Sequence, residues 1–259
     1  MEHFVWNVDP IAFSFGSIRV FWYGIFFATA ILSGLQYMKW VYKKEGKDVD
    51  ELENMFIYIV IGIVVGARLG HCFFYNPAFY LAHPMKIFAV WEGGLASHGG
   101  GLGVIIALWL FTKKYKLNFL WLIDRIAIPT ALFGFFVRMG NLMNSEIIGK
   151  PTEVSWAIVF SRIDSLPRHP TQLYEAFSYL VIFFVLTYIY TKKKTLLNNG
   201  FLFGLFLVLI FSTRFMIEFV KVKQAAYSSE ISLTTGQDLS IPFLLIGVFL
   251  IVWSLRKKR

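Results

Sequence analysis

Apolar residues in this chain come in runs too long to be one face of a soluble helix. They extend over about 19–38, 54–75, 87–111, 119–137, 172–190, 201–219 and 240–255, each near the roughly 20 residues that an α-helix needs to cross a bilayer. Between several of them polarity rises sharply and briefly, as in Thr112 to Asn118 and Thr191 to Asn199. The pattern predicts seven membrane-spanning helices. The third run differs from the others, because Trp91 to Gly103 reads WEGGLASHGGGLG. A helix is expected there only from Leu102 onward, and irregular backbone at membrane depth survives only where protein or a water-filled cavity surrounds it. Segment 138–171 is long for a plain connection. Trp156 and the run Ala157 to Phe160 argue for order within it, as a small strand-containing cap, and 220–239 is a second long loop. The expected architecture is an all-α polytopic membrane protein, a single seven-span domain over 1–259 with an external cap at about 138–171 between spans four and five.

Composition agrees, with 57% hydrophobic and 16% charged residues, a balance hard to keep soluble at this length. The net charge of +9 comes largely from short clusters: Lys39, Lys43, Lys44 and Lys47; Lys113, Lys114 and Lys116; Lys192, Lys193 and Lys194; Arg256, Lys257, Lys258 and Arg259. The intervening loops are longer and hold fewer basic residues. Basic loops are retained in the cytoplasm, which puts the C-terminus inside and the N-terminus, with the cap, outside. An anionic leaflet accounts for such clusters, so no nucleic acid is expected as a partner. The first run follows a neutral aromatic segment without a basic start or small-residue cleavage site, and is read as a retained span. The single Cys72 excludes an intramolecular disulfide and reads as a small buried hydrophobe. No metal-ligand spacing is present, so neither metal nor cofactor is expected.

Candidate chemistry concentrates in Val137 to Gly149, VRMGNLMNSEIIG, where Arg138, Asn141, Asn144 and Glu146 converge at the end of an apolar run. Charge at such depth is expensive and usually paired or functional. Arg68 lies in the outer half of the second run, and Arg214 and Glu218 sit four residues apart near the outer end of the sixth. The arginines exceed the acids expected beside them, which implies an anionic guest. Phosphate suits the planar guanidinium fork, and a phospholipid headgroup is the anion available there. Asn141 and Asn144 donate and accept without ionising, as glycerol hydroxyls and ester carbonyls require; alternatively, Gly140 and Asn141 form a helix C-cap. Arg214 and Glu218 alternatively satisfy each other.

His98, near Glu92, is either a base or a hydrogen-bond donor to a backbone carbonyl. Pro170 fits a first helical position, with His169 fixing the start of the fifth span. Tyr23 opens the first span at an aromatic belt, and Asp124 and Arg125 are structural. A lipid or anion transporter is the rival reading. Against it, the polar residues gather toward one half of the membrane and no inverted repeat is visible.

The stretch RMGNLMNSEIIG (138–149) resembles the signature of bacterial prolipoprotein diacylglyceryl transferases. The likeness extends through WYG (22–24), GARLGHCFFYN (66–76), WEGGLASHGG (91–100), RHPTQLYE (168–175), RFMIEF (214–219) and GQDLSIP (236–242), covering almost the whole chain. The resemblance implies a plasma-membrane enzyme that moves the diacylglyceryl group of phosphatidylglycerol to the lipobox cysteine in the signal peptide of a prolipoprotein. A thioether forms and glycerol phosphate is released. It implies binding or catalytic roles for Tyr23, His98, Arg138, Asn141, Glu146, Gly149, Arg214 and Glu218. Three positions depart from the family pattern: Ile210 and His71 stand where tyrosine is common, and Ser97 replaces a bulkier residue. Activation of the substrate thiol then falls either to His98 as base or to the field of Arg138 and Arg214.

Overall fold

The computed structural model describes residues 3–193, 198–222 and 233–256, without the side chains of Ser97, Lys193 and Thr235. The basic residues Lys194, Lys223, Lys257, Lys258 and Arg259, and half of the expected 220–239 loop, lie outside the described residues.

Each apolar run contains a long helix: α1 (Trp22–Lys44), α2 (Glu51–Phe74), α4 (Ser97–Lys114), α5 (Phe119–Met143), α6 (Thr171–Lys193), α7 (Phe201–Ile217) and α8 (Thr235–Arg256), with a short α3 (Pro77–Ala82) after α2. Among the described residues α2, α5, α6, α7 and α8 are long and apolar enough to cross a membrane. The chain is a multi-pass helical membrane protein. α1 is diluted by Thr29, Ser33 and Gln36, and α4 has only 18 residues.

Two expectations need correction: where the third helix starts, and the all-α class. The first part of the third run is irregular, Pro84–Phe88 and Val90–Glu92 forming 3₁₀ turns, but α4 starts at Ser97. Gly99, Gly100 and Gly101 are nevertheless helical, α4 starting five residues earlier than Leu102, because packing overrides their poor propensity. The fold is also not all-α. Strands β1 (Phe4–Trp6), β4 (Ile158–Phe160) and β5 (Pro167–Arg168) form one sheet in the order β1-β4-β5, and β2 (Ile11–Phe15) and β3 (Ile18–Phe21) form a hairpin. β1 runs parallel to β4, with Phe4 opposite Ile158 and Trp6 opposite Phe160. Leu142, Ile158 and Phe160 make a buried cluster there, covered by Trp6, Met139, Ile148 and Leu173.

The chain forms two compact units, Met1–Met38 with Ile123–Arg259, and Lys39–Leu122. In the second, α2 and α4 meet along Gly62, Gly66 and Gly70 against Gly99, Gly103 and Ala107. A Cβ on Gly103 would lie 1.9 Å from the Gly62 carbonyl oxygen, and one on Gly66 2.4 Å from that of Gly99. Small residues four apart let two backbones touch, which is how apolar helices associate where no water drives them together. Cys72 is buried in this unit. In the first unit the buried Asp124 carboxylate accepts the Gly200 and Phe203 amides at 2.7 and 2.8 Å. It thereby satisfies orphan donors at the start of α7.

Candidate active site

Helix α5 continues past Val137 to Met143, so Arg138 and Asn141 are both helical and one turn apart. Asn141 is therefore not the cap that Gly140-Asn141 suggested. Arg138 Nη1 donates to Asn141 Oδ1 at 3.0 Å, Asn141 Nδ2 to Glu146 Oε2 at 3.1 Å, and Asn144 Nδ2 to Glu146 Oε1 at 3.1 Å. One chain of bonds orders the charged motif. Tyr23 lies against α5 because Gly140 has no side chain; a Cβ there would meet the Tyr23 ring at 2.8 Å.

The turn after α5 is strained. Ser145 and Ile147 have φ of 55° and 57°, the left-handed region that a β-branched residue strongly disfavours, at a cost on the order of 1–3 kcal/mol each. The start of α6 holds the turn in place, with Thr171 Oγ1 donating to the Ile147 carbonyl and Gln172 Nε2 to that of Glu146, both at 2.6 Å. Pro170 precedes α6 instead of opening it, and its carbonyl accepts the Leu173 amide at 2.9 Å. The Gly149 amide donates to the His169 carbonyl at 2.9 Å, and a Cβ on Gly149 would come within 2.5 Å of that oxygen. Only glycine fits so close to a neighbouring strand. Burial lowers the His169 pKa below its ordinary value, and hydrogen bonding from Arg168 lowers that of Asp164.

Beneath the motif lies a buried charge cluster. Glu175 of α6 is 1% exposed; Arg138 Nε approaches its Oε2 to 2.5 Å, and Lys221 Nζ its Oε1 to 3.1 Å. The Arg138 contact is an ion pair without hydrogen-bond alignment, since no donor is directed at Oε2. Each ion buried this way costs several kcal/mol of hydration, which two cations on one carboxylate offset. Burial lowers the Lys221 pKa, and Glu175 opposes that shift.

Arg214 makes no ion pair with Glu218 among the described residues, although its charge reaches the Tyr179 hydroxyl together with those of Arg138 and Glu175. Glu218 instead faces Lys221 at 3.9 Å and packs on Gly236. The expected arginine surplus is corrected accordingly: in this unit Glu175, Glu218 and Glu146 accompany Arg138, Lys221 and Arg214, and of these three cations Arg214 has no ion partner among the described residues. A pocket of about 550 Å³ lies between α6 and α7, lined by Tyr174, Ser178, Ser212, Thr213, Met216 and Ile217.

In the other unit Arg68 is 3% exposed, and backbone carbonyls occupy its fork. Nε donates to Ile87 at 2.9 Å and Nη2 to Lys86 at 2.5 Å, while Nη1 donates to Gly93 and, at 3.4 Å, to Gly94. The guanidinium also lies 5.2 Å from the Tyr80 ring centre, a cation–π distance. His71 stacks on Tyr75 and meets Tyr80 edge-on, filling the position where tyrosine is common. Arg68 thus pins the 86–94 connection to α2, and the Ala96 amide, donating to the Ala67 carbonyl at 2.9 Å, sets where α4 begins. His98 falls in the first turn of α4, not in irregular backbone, and is exposed. Glu92 is not its partner, being paired with Lys86 at 2.6 Å.

The family described as prolipoprotein diacylglyceryl transferase matches this chain over residues 10–253. The chain belongs to that family. Relatives named phosphatidylglycerol–prolipoprotein diacylglyceryl transferase are similar over nearly their full length. The one from Tolumonas auensis is 54% identical, covering 98% of both chains. That from Chloroherpeton thalassium is 47% identical over 99% of this chain and 96% of its own, and that from Bacteroides fragilis 43% over 98% and 96%.

Within this member of the prolipoprotein diacylglyceryl transferase family, the structure brings Tyr23, Arg138, Asn141, Asn144, Glu146, Gly149, Arg214 and Glu218 into one unit, and Arg68 and His98 into the other. Sequence reasoning passed over Glu175, Lys221, Thr171 and Gln172. Glu175 carried a readable signal, an acid inside an apolar run, which marks a paired or functional group.

Proposed function

We propose that this chain transfers the diacylglyceryl group of phosphatidylglycerol to the lipobox cysteine of a prolipoprotein, the first step of bacterial lipoprotein maturation. The observation that carries the reading is the Arg138–Asn141–Glu146 array, anchored on a buried carboxylate, in a chain that matches relatives bearing the name of this reaction over nearly their full length. In the step itself the substrate sulfur forms a bond to the glycerol carbon that carries the phosphate. The carbon–oxygen bond breaks, glycerol phosphate leaves with the electron pair, and the thiol proton passes to a base.

Arg138 and Arg214 bind the phosphodiester and stabilise the charge that grows on the departing phosphate. Asn144 and Tyr23 contact the glycerol and ester groups, Gly149 keeps the turn compact, and Glu146 and Glu218 orient their neighbours. Arg68 we assign to the 86–94 connection, because carbonyls occupy its fork. A transporter uses none of this leaving-group chemistry, and the family argues against it. Purified protein with phosphatidylglycerol vesicles and a lipobox peptide should release glycerol phosphate and form the thioether; failure of both products would end the reading.

A cysteine thiol of pKa near 8.5 is only slightly ionised at neutral pH, and His98, exposed in the first turn of α4, is the proposed base. His98→Gln is expected to reduce turnover to background while lipid binding persists, with partial recovery as pH rises through the thiol range. Full activity of this variant at neutral pH would remove His98 from the role.

The topology we propose has seven spans in the bacterial cytoplasmic membrane, with the N-terminus and the 138–171 cap outside and the C-terminus in the cytoplasm. In a Cys72→Ser background, which should stay active because the nucleophile belongs to the substrate, a cysteine at position 150 should react with an impermeant maleimide added outside intact cells. Reaction only after lysis would reverse the orientation.

A further inference from the structure

We propose that Lys221, acting through Glu175, is a positioning residue that keeps the Arg138 fork open for the lipid phosphate; this rests on the reading of Arg138 as a phosphate ligand. The two Glu175 oxygens are divided. Oε2 faces Arg138 Nε at 2.5 Å, and Oε1 accepts from Lys221 Nζ at 3.1 Å. Asn141 occupies Nη1 at 3.0 Å and the Tyr179 hydroxyl also bonds the guanidinium, but Nη2 donates to neither Glu175 oxygen among the described residues.

A carboxylate beside an arginine prefers to take two parallel N–H groups at once. Here that second bond is withheld, because Lys221 claims the other oxygen. Without the lysine charge, Oε1 turns to Nη2, the pair becomes bidentate, and the edge that would receive phosphate closes. Glu175 is 1% exposed and Lys221 5%, so water does not screen this competition. The main chain fixes the lysine in place: Lys221 bridges Gly149, the Lys150 amide donates to the Val220 carbonyl at 2.8 Å, and the Val222 amide donates to that of Ile148 at 3.3 Å. Glu218, 3.9 Å from Nζ, is the more distant acid.

The test measures kcat and KM for phosphatidylglycerol, with a lipobox peptide in vesicles, for a set of variants. Lys221→Met should lower kcat/KM about tenfold or more, and Lys221→Arg should recover most of it. Two backgrounds separate positioning from general support. On Arg138→Lys, which has no fork to close, Lys221→Met should add little; on Glu175→Gln, which has no carboxylate to close it, the substitution should again cost little. Sites that act through one another show such non-additivity. Glu175→Gln with Lys221→Met removes one charge of each sign and keeps the net charge of the cluster, so it reports even where Lys221→Met alone folds poorly. Full activity of Lys221→Met, or equal losses in all backgrounds, would overturn the proposal. An inactive wild type would instead count against the transfer reading itself.

Discussion

Arg138→Lys is expected to lower turnover about tenfold to a hundredfold in a protein that still folds. Lysine can keep the charge beside Glu175, but it is a point charge on a flexible stem and cannot serve Glu175, Asn141 and a phosphate from one rigid plane. Loss of a charge-assisted hydrogen bond costs roughly 1.5–3 kcal/mol, and it appears in rate to the extent that the contact tightens on the way to the transition state. Arg125→Lys is the matched control. Arg125 is also buried, next to Asp124 at 3.7 Å, but that carboxylate is already satisfied by the Gly200 and Phe203 amides. Turnover of folded Arg125→Lys should change little. Equal losses in the two proteins, or none at Arg138, would move the phosphate site elsewhere.

The largest expected effect on stability is at Gly103. A Cβ there would sit 1.9 Å from the Gly62 carbonyl oxygen, and the obstacle is backbone, which no rotamer change relieves. Gly103→Val must therefore push α2 and α4 apart, opening the contact at Gly66 and Gly99 as well. Overpacking of a core costs about 1–3 kcal/mol and occasionally more, and displacement of whole helices belongs at the upper end. Gly101→Ala predicts the opposite sign. Nothing lies within 4 Å of a Cβ at that position, and alanine gains about 1 kcal/mol over glycine inside a helix. Thermal unfolding in detergent should place Gly103→Val well below the parent and Gly101→Ala at or above it. An unchanged midpoint for Gly103→Val would mean that the two helices are not packed as described.

The helices were legible because a bilayer demands long apolar runs and leaves few alternatives. The glycine run of α4 was misread for a local reason: propensity disfavours a helix there, and the partner that overrides it is on α2. Strands β1, β2 and β3 were invisible, since Phe4 to Phe21 is neutral and aromatic and merges into the first run. Arg138, Asn141 and Glu146 could be named because they lie within one short motif. Their supports could not. Glu175 is one acid in an apolar helix, Lys221 reads as a loop charge that sets topology, and the acceptors around Arg68 are backbone carbonyls, which every residue has and no sequence pattern marks.

Strand β1 imposes an order of assembly. Phe4–Trp6 is made before its partner Ile158–Phe160, with α1, α2, α4 and α5 synthesised between them. The Ser161 hydroxyl that bonds the Trp6 carbonyl is 155 residues away in sequence. Closing so long a loop costs entropy before any contact repays it, and non-local pairings of this kind form slowly. Strand β1 therefore waits, unpaired, while four long helices are made and inserted, so the sheet closes only after the bundle it caps has begun to form.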